Sequence, residues 1–348
     1  MSKRNEKREV RYKNTCAQYE TTMRNYIIKR LLLIIPMLIG ISFILFVIMH
    51  LAPGDPASIR YGLNPDVSES ARENFNKIYG LDKPVIVQYG MWMKRFMSLD
   101  FGNSFIDDQD VTAKILSKLP ATLLLQSSSL IVIFCVALPI GIISAVKRNT
   151  IFDKTMTVVV FTGYAMPTFW LALLLIFLFG FKLQWFPISG MDPWYISYLG
   201  WTARIKDTAW HLVLPVFVTA FTGLASLSRY SRSSVIEAMQ QQYILTARAK
   251  GLPERRVIFV HAVRNALLPI ITILGLTLPA LISGSFIFET IFAWPGMGRL
   301  GYEAIMNYDY PVVMGVAVIS TFLTLSGIFL SDMLYAFIDP RIRYGAKQ

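Results

Sequence analysis

Charged residues are scarce in this sequence of 348 residues: Asp, Glu, Lys and Arg make up 16% of it, whereas apolar residues make up 54%. Soluble domains carry about 25% charged residues. With so little charge, the chain lacks the polar surface that a water-soluble particle of this size requires. The composition therefore excludes an ordinary soluble enzyme and favours a protein that is embedded in lipid.

Residues that bind metals or perform catalysis are also few. The chain has two cysteines and three histidines, and none of them has the spacing of a disulfide framework or a metal site. His50 and His211 are expected to anchor helix ends. No Gly-Lys dipeptide occurs, which excludes a phosphate-binding P-loop, and the H-E-x-x-H and G-x-S-x-G motifs are absent. We expect no catalytic residue, no metal and no cofactor in this chain.

Six windows of 19 to 27 residues contain no Asp, Glu, Lys or Arg. A transmembrane helix needs about 20 mostly apolar residues, so the pattern predicts an all-α membrane protein with six transmembrane helices. The windows are residues 31–51, 120–146, 155–181, 210–228, 267–288 and 312–331. The 68-residue connection 52–119 is long enough to fold as a domain of its own.

The basic residues predict which side of the membrane each connection occupies. Four segments together hold 22 of the 34 Lys and Arg but only 8 of the 22 Asp and Glu; they are residues 1–30, 147–154, 229–266 and 332–348. Because basic connections stay in the cytoplasm, both termini are predicted to be cytoplasmic and residues 52–119 to be extracytoplasmic. Scattered beside membrane spans, these basic residues indicate a lipid bilayer and no nucleic acid as partner.

The predicted domains follow from these assignments. They are a polar cytoplasmic tail (1–26), a first span (27–51), the extracytoplasmic domain (52–119) and a transmembrane domain (120–348) that contains the cytoplasmic loop 229–266. Residues 1–22 are polar and of mixed charge, typical of a disordered tail. Met23 is an equally good start of the protein.

No predicted span contains an ionisable Asp, Glu, Lys or Arg, which argues against a proton relay inside the bilayer. If this protein transports a solute against a gradient, another chain must supply the energy. Prolines interrupt the spans at positions 139, 167, 215, 269 and 279. They indicate either a bundle that flexes around a path or ordinary membrane-helix packing.

The cytoplasmic loop 229–266 has a helical pattern of its own. Apolar residues recur every four positions, which predicts one helix; they are Val235, Met239, Tyr243 and Ala247, with Ile236 and Ile244 beside them. Gly251 is expected to end that helix, and Pro253 to begin a second one. Such a basic hairpin suits either a helix lying on anionic lipid or a knob that fits a groove of a cytoplasmic partner.

The residues of this hairpin resemble a known motif. Residues 243–252, followed by His261 and residues 264–269, resemble the EAA loop of dipeptide/oligopeptide ABC importer permeases. Leu245 stands at the position of the motif's Glu, and Leu268-Pro269 comes about five residues late, as in the peptide permease variant. The resemblance implies that a coupling loop to an ATPase is formed by Ala247, Arg248, Ala249, Lys250, Gly251 and Leu252.

Further motifs extend the resemblance over some 320 residues. They include residues 51–57 (LAPGDPA), 80–82 (GLD), 119–123 (LPATL), 167–170 (PTFW), Glu289, 294–296 (WPG) and 339–341 (DPR). Their order resembles the B-type permease subunit, which implies a type I ABC importer fold. Trp185 and Trp294 are also what an aromatic belt at a span end requires.

The resemblance implies an ATP-driven peptide importer. Its partners would be a homologous second permease, two ATPase subunits that bind ATP and Mg, and an extracytoplasmic binding protein received by residues 52–119. Nickel and glutathione importers share the pattern, and a stand-alone gradient-driven carrier or channel is the alternative from another class. Candidates for the substrate path are Thr168, Phe169, Ser283, Gly284 and Ser285, although small residues also serve close helix packing.

Overall fold

The computed structural model describes residues 27–28, 30–52, 54, 56–57, 69–190, 200–277 and 284–338, which form helices and connections without a β-strand. The helices are α1 (Arg30–Leu51), α2 (Glu69–Tyr79), α3 (Val85–Met97), α4 (Val111–Val146), α5 (Ile151–Ala165), α6 (Thr168–Lys182), α7 (Trp201–Met239), α8 (Gln242–Ala249), α9 (Glu254–Arg256, Val257–Val263 and Arg264–Thr277), α10 (Phe286–Ile291), α11 (Met297–Met306) and α12 (Tyr310–Ile338). The predicted tail, Ser283 and Pro279 lie outside these residues.

Two long helices, α4 and α7, form the centre of the fold. They have 36 and 39 residues, well beyond the predicted windows 120–146 and 210–228. They approach closely because glycine stands at the contacts: a Cβ at Gly141 would lie 2.6 Å from the Ser228 carbonyl oxygen, and one at Gly223 would lie 2.4 Å from Ile133. Small residues allow such close packing between membrane helices.

The third predicted span, 155–181, is broken at Pro167, one of the prolines expected to bend the spans. Residues 151–182 form two helices, α5 and α6, that bend by 102° at Met166 and Pro167. Proline has no N–H to continue the helix, and its ring forces the preceding residue out of the helical region. Met166 accordingly has φ −81° and ψ 132°. By contrast, Pro139 and Pro215 lie inside the continuous helices α4 and α7.

The fifth predicted span, 267–288, is also wrong at its end. Helix α9 is described as far as Thr277, whereas Gly284 has a left-handed φ of +67° and Ser285 is extended. Helix α10 starts only at Phe286. Among the described residues four helices are long and apolar enough to cross a membrane, and there are five if the bent α5–α6 pair is one broken span. The count of six spans stays a prediction.

The segment between α1 and α4 is fastened to the last helix by Asp309. The Ser104 hydroxyl donates to Asp309 Oδ2 (2.5 Å), and the Phe105 N–H donates to Oδ1 (2.9 Å). Burial raises the pKa of Asp309, which these hydrogen bonds oppose. An apolar cluster below it joins α4, α11 and α12 through Ile115, Leu300 and Val312. The connection 101–110 is therefore a fixed part of the bundle.

Candidate coupling hairpin and translocation region

Helix α8 and the start of α9 form a hairpin, residues 242–256, around Gly251. The Gly251 N–H donates to the Arg248 carbonyl (2.9 Å) and the Leu252 N–H to the Ala247 carbonyl (3.4 Å). Gly251 has φ +74°, a conformation that residues with a Cβ rarely adopt. Pro253 then precedes the first turn of α9. The helix end at Gly251 that the sequence predicts is present.

The prediction of one continuous helix before Gly251 is wrong. Helix α7 ends at Met239, and Gln240 and Gln241 separate it from α8. This break rotates the following residues, so Ile244 is fully buried whereas Tyr243, predicted on the apolar stripe, is 38% exposed. In the sequence, the four-residue spacing of apolar residues continues across residues 240 and 241. In the structure, the residues before and after this break do not share one helix face.

The base of the hairpin packs against the central helices. Its apolar cluster contains Ala145 of α4, Val235 and Ala238 of α7, Ile244 and Ala247 of α8, and Val257, Ala262 and Ala266 of α9. Ala247, predicted to contact an ATPase, is therefore buried inside the chain, and Leu252 is half-buried at the edge of the cluster. Because the hairpin shares one core with α4 and α7, a displacement of the hairpin must displace their ends.

The tip of the hairpin is open to solvent. Arg248, Ala249, Lys250 and Gly251 are exposed, and nothing lies within 4 Å of a Cβ placed at Gly251. Across the turn, the Arg248 guanidinium donates to both Glu254 oxygens (2.6 and 3.2 Å) and thereby lowers the pKa of that carboxyl. The tip presents small and basic residues on a pre-formed turn.

A buried ion pair beside the hairpin was missed in the sequence. Asp153, at the start of α5, accepts two hydrogen bonds of 2.8 Å from the Arg232 guanidinium of α7 and a third from the Asn149 N–H (3.0 Å). Asp153 is only 4% exposed. The sequence feature that could have indicated this ion pair is Asp153 itself, the one acidic residue in the basic segment 147–154. The pair joins α5 to the end of α7 that carries the hairpin.

The candidate path residues lie in two places. Thr168 and Phe169 begin α6 after the Pro167 break, and Phe169 is 52% exposed. Gly284 packs inside the chain, where a Cβ would lie 3.0 Å from Glu289 and 3.2 Å from Thr122. Ser285 directly precedes α10. Their role in lining a path stays a prediction, but the structure gives Gly284 a packing role.

Glu289 is the most deeply buried acid among the described residues, and it anchors a compact site. Its side chain accepts from the Thr122 hydroxyl (3.0 Å) and from the Arg299 N–H (2.9 Å), while the Met297 N–H donates to the Thr122 oxygen (2.8 Å). Arg299 is in the first turn of α11, where N–H groups lack helical partners. The carboxylate thus caps α11, whose own N-cap residue is Gly296, without a side chain.

Two glycines make room for this carboxylate. A Cβ at Gly296 would lie 2.3 Å from Glu289 Cδ, and one at Gly298 would lie 2.7 Å from the Phe286 nitrogen. We call Thr122, Glu289, Gly296, Gly298 and Arg299 the carboxylate knot. In the sequence, Glu289 is identified only as one of the motifs that resemble the permease family. Its position directly after an apolar window and before two glycines was the sequence feature that indicated burial.

Trp294 belongs beside the knot and not in an aromatic belt, so the predicted belt role is wrong. It is fully buried, and its indole N–H donates to the Ala121 carbonyl (2.9 Å) of α4. A buried indole needs such an acceptor. Trp185, the other predicted belt residue, is 55% exposed, as that role requires.

Comparison with known proteins agrees with this architecture. The family described as binding-protein-dependent transport system inner membrane component matches residues 137–344, more than half of the chain, and the N-terminal model of such membrane components matches residues 23–126. The chain belongs to this family. It is thus a multi-pass membrane permease, as its resemblance implied.

Individual relatives match the permease over nearly its full length. The oligopeptide transport system permease protein AppB of Bacillus subtilis is 43% identical over 323 residues, which are 92% of this chain and 100% of AppB. Dipeptide transport system permease proteins DppB of Alkalihalophilus pseudofirmus and Escherichia coli are each 37% identical, over 92% of this chain and 99–100% of their own length.

Proposed function

We propose that this permease is the transmembrane subunit of an ATP-driven importer for di- and oligopeptides, and that the hairpin 242–256 is its contact with an ATPase. The observation that carries the proposal is the division of the hairpin into an exposed tip and a buried base. The relatives named as peptide permeases support the cargo. The chain supplies no catalytic group; ATP and Mg are bound by two partner ATPase subunits.

Coupling follows from the packing of the hairpin. When ATP binding draws the two ATPase subunits together, the ATPase groove that holds the tip of this hairpin displaces it. The apolar cluster transmits the displacement to α4 and α7, and the ion pair between Asp153 and Arg232 transmits it to α5. A partner can switch the bundle only if it contacts the two states differently. The exposed residues Arg248 to Gly251 are the group whose contacts change.

The opposite side of the membrane receives the cargo. We propose that residues 52–119 are extracytoplasmic and help to dock a peptide-binding protein, and that both termini are cytoplasmic. The hydrogen bonds from Ser104 and Phe105 to Asp309 support a common side for residues 101–110 and the start of α12. The basic residues of segments 1–30 and 332–348 support the cytoplasmic side for both termini. A homologous second permease completes the membrane part.

The decisive test compares two substitutions at Gly251 in the assembled transporter in proteoliposomes. Gly251→Val places a β-branched side chain at φ +74°, which is strongly disfavoured, so the turn must change. We expect the variant to insert in the membrane at the wild-type level but to lose ATP-driven uptake of labelled peptide. Gly251→Asn is the matched control, because Asn tolerates the left-handed region, and it should retain most uptake.

Wild-type uptake by Gly251→Val would refute the coupling role of the hairpin. The cargo is tested separately with the wild-type transporter, by comparing labelled dipeptide, labelled pentapeptide, nickel and glutathione. Peptide uptake that requires ATP and the ATPase subunits supports the proposal. Uptake of nickel or glutathione without uptake of peptide would refute peptide as the cargo. Uptake by the permease without ATPase subunits would indicate a stand-alone carrier.

A further inference from the structure

Helix α3 carries an apolar stripe whose two ends, Ile86 and Met97, are left uncovered by the described residues, whereas Met93 between them is half-buried. Ile86, Gly90, Met93 and Met97 are spaced i, i+4, i+7 and i+11, so they share one face. Ile86 is 77% exposed and Met97 76% exposed, and none of the 13 residues of α3 is buried. A helix in a water-soluble domain would bury such a stripe.

Contacts with α1 fix the depth of α3. The Tyr89 hydroxyl donates to the Ile39 carbonyl (3.2 Å), its ring lies edge-on against Phe46 (5.4 Å), and Gln88 Oε1 lies 2.9 Å from His50 Nε2. The contacts of residues 88 and 89 with α1 therefore extend from Ile39 to His50. Phe46, inside this range, is five residues, or about 7 Å, below the end of α1.

This depth is that of the membrane interface. Helix α1 has 22 residues and is about 33 Å long, which matches the roughly 30 Å of hydrocarbon in a bilayer. A level about 7 Å inside its end lies within the zone, about 5–10 Å deep, that in-plane amphipathic helices occupy. Helix α3 is too deep to stand free in water.

The charges of α3 suit the same position. Its last turn carries Lys94 and Arg95, both exposed, and α3 contains no acidic residue. Basic side chains at such a depth extend towards head-group phosphates, to which they are attracted. The neighbouring helix α2 differs, because it pairs Glu73 with Lys77 (3.9 Å) on a surface that suits water.

We propose that α3 is an in-plane membrane helix, embedded in the leaflet that holds the C-terminal end of α1. Its stripe from Ile86 to Met97 contacts acyl chains, and Lys94 and Arg95 contact phosphodiester groups of phospholipids. The proposal needs only that α1 spans the membrane, so it stands or fails independently of the cargo and of the ATPase contact.

Spin labels can measure this placement directly. Single cysteines are introduced by Ile86→Cys or Met97→Cys, with Lys77→Cys in α2 as the matched control, after the native Cys16 and Cys135 are replaced by Ala. All three positions are highly exposed, so the labels should not disturb packing. The full-length protein, with the subunits that purify with it, is placed in nanodiscs of phosphatidylcholine and phosphatidylglycerol.

The readout is relaxation by oxygen, which concentrates in acyl chains, against relaxation by a water-soluble nickel chelate. We expect oxygen to dominate at positions 86 and 97 and the nickel chelate to dominate at position 77. A nickel effect at 86 and 97 equal to that at 77 would place α3 in water and overturn the proposal. Low accessibility to both reagents at 86 and 97 would also overturn it, because a protein partner would then cover the stripe.

Discussion

The hairpin tip and the carboxylate knot both depend on glycine, for opposite reasons. At the tip, Gly251 has a left-handed φ and open space around it. In the knot, Gly296 has an ordinary extended backbone but no room for a Cβ. The first glycine is required by backbone shape and the second by packing. The solvent-exposed hairpin tip can contact a partner protein, whereas the buried carboxylate knot can only contact residues of its own chain.

The charges of the two regions differ in the same way. Arg248 and Glu254 meet in solvent, where ion pairs contribute little to stability. Glu289 is buried, no ion pair to it is formed by the residues that the structure describes, and it depends on hydrogen-bond donors from α4 and α11. Buried charge without its partners is costly. We therefore expect substitutions in the knot to alter stability and substitutions at the tip to alter coupling.

The largest effect is expected for Glu289→Ala. It leaves the Thr122 hydroxyl and the Arg299 N–H buried without an acceptor, at about 1–3 kcal/mol each, and opens a cavity. We expect a loss of about 3 kcal/mol or more, measured as a lower thermal unfolding midpoint of the purified permease in detergent. Glu289→Gln keeps the shape and one acceptor, so it should lose less. An unchanged unfolding midpoint for Glu289→Ala would show that the carboxylate knot does not contribute to the stability of the fold.

An intermediate effect is expected for Asp153→Ala. Loss of a partner from a buried ion pair costs about 3–5 kcal/mol; we expect about 2 kcal/mol here, because the Arg232 side chain remains 31% exposed and can be hydrated. Arg248→Ala, at the exposed pair, is the matched control and should leave the unfolding midpoint unchanged.

The same ion pair also tests transmission to α5. Asp153→Ala should hydrolyse more ATP per peptide imported than the wild type does, because the motion of α7 no longer carries α5. The exchange Asp153→Arg with Arg232→Asp should restore part of that ratio. If Asp153→Ala loses stability but keeps a wild-type ratio, the pair holds the fold without transmitting motion.

The smallest effect is expected for Gly296→Ala, and it sharpens the contrast between the glycines. Overpacking costs about 1–3 kcal/mol, and a value of about 1 kcal/mol is expected because the three atoms nearest to the new Cβ all lie at the end of the Glu289 side chain and none belongs to the backbone. Gly251→Asn should leave the unfolding midpoint unchanged, since its side chain meets open space. The reverse order in a thermal unfolding assay would contradict the assignment of the knot as closed and the tip as open.

Local signals predicted more of this protein than distant contacts did. Charge-free windows predicted the membrane helices, and Gly251 with Pro253 predicted the hairpin turn, because both depend on neighbouring residues. The bend at Pro167 was underestimated, since proline permits either a kink or a full break. Residues far apart in sequence, such as Thr122 and Glu289, meet only in the fold, so the knot and the buried place of Trp294 were not predicted.

The lengths of α4 and α7 have a mechanical consequence. Helix α7 has 39 residues and is about 58 Å long, nearly twice the thickness of the hydrocarbon. A stiff rod of that length amplifies rotation: a tilt of about 5° about one end moves the other by about 5 Å, close to one helical turn. Under the proposed coupling, a small tilt imposed at the hairpin would become a wide displacement at the other end of α7.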